Sequence, residues 1–151
     1  MKFLKDADKL TFPEVQTMVR GLLHLAQSDG IHPREEALIR EFYDACRTPG
    51  GPAYEATIRT PFSFSDALSD LSSKETRRLF IKTCWFLAFA DGKSTGPERT
   101  QIAEWAKGFG LSETECNEIG EDVKESLMAE LAPHIKNVEA LAAIRAQLRG
   151  A

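Results

Sequence analysis

Cysteine is scarce in this chain. Cys46, Cys84 and Cys116 are its three cysteines, widely separated and forming no CxxC pair. That excludes a disulfide framework and a zinc–thiolate site, and it suits a reducing compartment. No segment sustains two-residue alternation of apolar and polar residues, and β-branched residues are sparse, which argues against sheet structure. No apolar run approaches the length needed to cross a bilayer, so direct membrane insertion is not expected. The first nine residues, MKFLKDADK, have no apolar core of the kind a secretory leader needs, and a cytoplasmic protein is expected. Positive charge is also short. Nineteen Lys and Arg stand against 23 Asp and Glu, for a net charge of -4. A general nucleic-acid binder is basic, so no nucleic-acid partner is expected. The signatures GxxxxGK[ST], HExxH and GxSxG are missing, as is the inward Glu-x-x-His pair of di-iron bundles.

What remains is helical throughout. With 151 residues, 42% of them hydrophobic and 28% charged, the chain is expected to form one globular domain over 1–151. Thr11, Pro13 and Glu14 open a first helix that runs to about Ser28, with Val15, Met18, Val19, Leu22, Leu25 and Ala26 on its inner side. Pro33 opens a second, carrying Ala37, Leu38, Ile39, Phe42, Tyr43 and Cys46. Thr48-Pro49-Gly50-Gly51-Pro52 is the strongest loop signal. Short helical pieces are expected over Tyr54–Ile58 and Ser65–Leu71. Ser72 and Glu75 then have the spacing of a capping box. The stretch from Phe80 to Gly92, FIKTCWFLAFADG, is apolar on almost every side and predicts a buried helix, with Cys84 and Trp85 as core residues. Thr95, Pro97 and Glu98 open the next helix, which Gly108 and Gly110 end. Ser112 caps a long helix whose seam is Cys116, Ile119, Val123, Leu127 and Leu131. Its many glutamates form a solvated face. Beyond Pro133, Val138, Leu141, Ile144 and Leu148 predict a last helix. The fold class is all-α, a bundle of roughly six to eight helices.

A shift of 62 positions places Asp29-Gly30 on Asp91-Gly92, Leu25-Ala26 on Leu87-Ala88 and Glu36 on Glu98. Each repeat half, about 11–47 and 73–109, holds an apolar helix, an Asp-Gly corner, a turn, and a helix with an acid in its first turn. Such a duplicated hairpin can pack on its copy, with its two corners either converging or facing apart.

The candidate site is this set of acids: Asp29, Glu36, Asp91 and Glu98. Carboxylates drawn together at a corner repel one another, and a hard divalent cation such as calcium, magnesium or manganese offsets that repulsion. His32 is the nearest extra ligand, but Ser94 takes its place in the second half. The competing reading is structural. Asp-Gly is a common turn, and Glu98 is explained by a capping box with Thr95. An EF-hand does not fit, because its first and third ligand positions would fall on Leu25 and Gln27, and on Leu87 and Phe89. A metal-dependent hydrolase would need a general base beside the acids, and only His24 and His32 stand near.

The order of motifs resembles the TerB-like family, which includes tellurite-resistance protein TerB and the N-terminal domain of the DjlA co-chaperone. The residues that carry the resemblance are Leu87-Ala88-Phe89-Ala90-Asp91-Gly92, Pro97-Glu98-Arg99, Ile102 and Gly108-Phe109-Gly110-Leu111-Ser112. The first half adds Leu25 to Gly30 and Glu35-Glu36. The resemblance implies a bundle of about seven helices with an internal duplication. It also implies a non-enzymatic binding or sensor module that holds metal through acidic residues. That module acts with another protein of a stress-response assembly. The acids carry over to Asp29 and Asp91, and then to Glu36 and Glu98. Ile39 stands one step away from the position of Ile102, so either Glu35 or Glu36 is the equivalent acid in the first half. No His-Pro-Asp motif of a J-domain is present.

Overall fold

A computed structural model describes residues 10–28, 30, 33–46, 50–89 and 96–131. Among them are seven helices: α1 (Phe12–Gln27), α2 (Pro33–Cys46), α3 (Tyr54–Thr57), α4 (Phe64–Asp70), α5 (Lys74–Ala88), α6 (Gly96–Gly108) and α7 (Glu113–Leu131). No strand occurs among the described residues. None of the helices there is long and apolar enough to cross a membrane. The expected helix around Val138 to Leu148 lies outside the described residues. The chain packs as two compact units, Met1–Arg77 and Arg78–Ala151, whose boundary falls inside α5.

In the first unit, α1 starts as its sequence requires. The Thr11 hydroxyl accepts from the Glu14 amide at 3.4 Å, and the Glu14 carboxylate accepts from the Thr11 amide at 2.8 Å. This reciprocal capping box satisfies two amides that the helix itself leaves open. All six residues of the expected inner stripe, from Val15 to Ala26, are buried. Burying each larger side chain among them contributes about 1.5–3 kcal/mol. α1 packs on α2 and α4, and α2 packs on α3. The short α3 is tied in by polar bonds, since it has little apolar area of its own. The Tyr43 hydroxyl donates to the Pro52 carbonyl at 2.5 Å and accepts from the Thr57 hydroxyl at 2.9 Å. Arg20 of α1 donates to the Thr57 carbonyl at 2.9 Å. α4 ends against Arg77, whose guanidinium donates to the carbonyls of Leu71 and Leu68.

The cap of α5 is Ser73 rather than Ser72. The Ser73 hydroxyl accepts from the Thr76 amide at 3.1 Å, and the helix begins one residue later than the capping-box spacing suggested.

In the second unit, Phe80, Ile81, Thr83, Cys84, Trp85, Leu87 and Ala88 of α5 are all buried. Phe80 meets Trp105 of α6 at 5.5 Å and Phe109 at 5.9 Å between ring centroids. Both tryptophans are core residues, Trp85 as expected. The end of α6 is a Schellman motif. The Leu111 amide donates to the Ala106 carbonyl, and the Gly110 amide to the Lys107 carbonyl. Gly110 takes φ +85°, which is why a glycine stands there. Ser112 then caps α7 through the Glu115 amide at 3.0 Å. α6 packs on α7.

α7 carries a glycine that sequence reasoning passed over. Gly120 faces the indole of Trp85, and a Cβ built there would stand 3.0 Å from the ring. The indole N–H donates to the Cys116 carbonyl of the same helix at 3.2 Å, and the ring stacks on Phe89 at 5.5 Å. The bare backbone at position 120 therefore lets a large aromatic side chain lie directly on α7.

Candidate functional site

Asp29 and Asp91 lie outside the described residues, as do His32, Ser94 and Thr95. The corner is visible at Gly30, which takes φ +77° and whose amide points back to the Gln27 carbonyl at 3.4 Å. A residue with a Cβ resists that left-handed backbone. The helix that follows each corner is described, and so are its acids.

Glu35 is the third residue of α2, and Glu98 is the third residue of α6. Both are buried, with 5% and 4% of their surface exposed. The Oε2 atom of each carboxylate is shut off from solvent. Four residues on, Ile39 and Ile102 are also buried. A separation of four keeps each acid on the same face as its isoleucine. Glu35 and Glu98 thus occupy like places, 63 positions apart, with a buried isoleucine one turn below each.

Glu36, the partner of Glu98 under the shift of 62, is half-buried and belongs to different surroundings. The Tyr54 pKa is raised by burial first and then by the Glu36 charge, and the Arg40 pKa is raised mainly by its hydrogen bond to Glu55, with the Glu36 charge adding a little. The Arg40 guanidinium lies 4.5 Å over the Tyr54 ring and pairs with Glu55 at 2.7 Å. The displaced Ile39 was the sequence signal that left Glu35 open beside Glu36, and burial favours Glu35.

A buried carboxylate costs several kcal/mol unless its surroundings compensate. Its position in the first turn of a helix returns about 0.3–1 kcal/mol through the helix dipole, and up to about 2 kcal/mol in a sheltered place. The dipole alone leaves a remainder, which the groups around each carboxylate must offset. Among the described residues, no three His, Cys, Asp or Glu come together as a set of metal ligands.

His24 is exposed and its ring lies 5.9 Å from Phe62. The acids Glu113, Glu118, Glu121, Asp122 and Glu125 are exposed along α7, as expected for a solvated face. Glu115 is the exception. It is half-buried and pairs with Arg78 at 2.9 Å. The three cysteines form no disulfide. Burial pushes the Cys84 thiol well above its ordinary pKa and raises that of Cys116 as well. A buried neutral thiol is a poor nucleophile. Alkylation of the native protein at neutral pH is therefore expected to label the half-buried Cys46 first. Cys84 and Cys116 should react only as the fold opens, which mass spectrometry of timed samples would resolve. Equal rates at all three would contradict this packing.

Residues 53–121 match the family model described as tellurite resistance protein TerB. Over this stretch, 69 of the 151 residues, the chain is similar to that family. The matched stretch begins at α3, runs through α5 and α6, and ends within α7. It takes in Asp91 and Glu98, and it stops short of Asp29, Glu35 and Glu36. No curated protein and no solved structure matches the chain.

Proposed function

We propose that this TerB-like chain is a non-enzymatic binding or sensor module that takes up a divalent cation at its Asp-Gly corners. It would serve tellurite resistance or a related stress response by docking another protein. The observation that carries the reading is the pair of buried acids, Glu35 and Glu98. Each stands in the first turn of the helix that follows an Asp-Gly corner, on the same face as a buried isoleucine. Oxygen ligands of this type suit calcium, magnesium or manganese. Asp91 and Glu98 supply the acids of one corner. Asp29 supplies the other, with Glu35 favoured over Glu36 because it is the buried one. The like placement also supports an internally duplicated hairpin. The match to the TerB family model supports the link to tellurite resistance.

Calorimetric titration of the chelator-treated protein with calcium, magnesium, manganese and zinc tests the reading. A saturable heat is expected for at least one hard cation, and it should vanish in the Asp29→Ala, Asp91→Ala double variant while the helical content stays. If the folded wild-type protein gives no heat with any of the four, the acids are turn and cap residues.

A further inference from the structure

We draw no further inference here: the strongest candidate, an apolar recess of about 470 Å³ between α6 and α7 lined by Ala106, Leu111 and Cys116 with the exposed Lys107 and Glu113 beside them, carries nothing, because nothing in the structure shows what covers it.

Discussion

Replacing Trp85 by alanine is expected to remove about 3–5 kcal/mol of unfolding free energy, the usual cost of deleting a large buried aromatic side chain. Stability for a domain of this kind is about 5–15 kcal/mol in all, so the variant should be marginal. Three features of its setting set the size of the effect. The indole is 8% exposed, stacks on Phe89, and donates to the Cys116 carbonyl. Gly120 makes that setting possible, and a second substitution tests the point. In the wild-type background, Gly120→Ala brings a Cβ to 3.0 Å from a ring that the hydrogen bond and the stack hold in place. Overpacking of that kind costs about 1–3 kcal/mol, which outweighs the gain of about 1 kcal/mol from replacing glycine inside a helix. In the Trp85→Ala background the clash is gone and only the helical gain remains. Gly120→Ala should therefore destabilise the first protein and stabilise the second, with a coupling of about 1–3 kcal/mol between the sites. Urea unfolding of the four proteins completes the cycle. A gain of stability in both backgrounds would mean that the ring does not depend on a bare backbone at Gly120.

Cation loading is expected to give the other large effect. A ligand that binds only the folded chain stabilises it by about 2.7 kcal/mol when present at 100 times its dissociation constant. For a chain of this size that is roughly 5–10 °C in the melting temperature for each occupied corner. Asp91→Ala and Glu98→Gln should each abolish the increment of the second corner, and Asp29→Ala and Glu35→Gln that of the first. Glu36→Gln should leave both increments in place, because Glu36 belongs with Arg40 and Tyr54. Thermal melts with and without a saturating cation read this directly. A chelator should return the wild-type protein to its unloaded melting temperature. An increment that survives in Glu98→Gln but disappears in Glu36→Gln would reassign the acids.

The helices were legible in the sequence where their signals are local. The Thr11–Glu14 box, the stripe of α1, the apolar α5 and the Ser112–Glu115 cap all depend on residues within a turn or two of each other. Periodicity and capping chemistry report that range well. Ser72 and Ser73 are adjacent and chemically alike, so spacing alone chose the neighbour of the true cap. The acids of α2 posed the same difficulty at greater consequence. Glu35 and Glu36 share the first turn but point about 100° apart, and only the face of Ile39 distinguishes them. The role of Gly120 was beyond local reading, because the ring that requires it lies 35 positions earlier, on α5.

The central claim is that hard cations bind at the Asp-Gly corners and not along the acidic face of α7. Manganese, which broadens the NMR signals of nearby amides, tests it most directly. Substoichiometric manganese added to the chelator-treated protein is predicted to erase the amides of residues 29–36 and 91–98 first and to spare those of Glu118, Asp122 and Glu125. Excess magnesium should restore them. Broadening that begins along α7 while both corners stay sharp would contradict the claim.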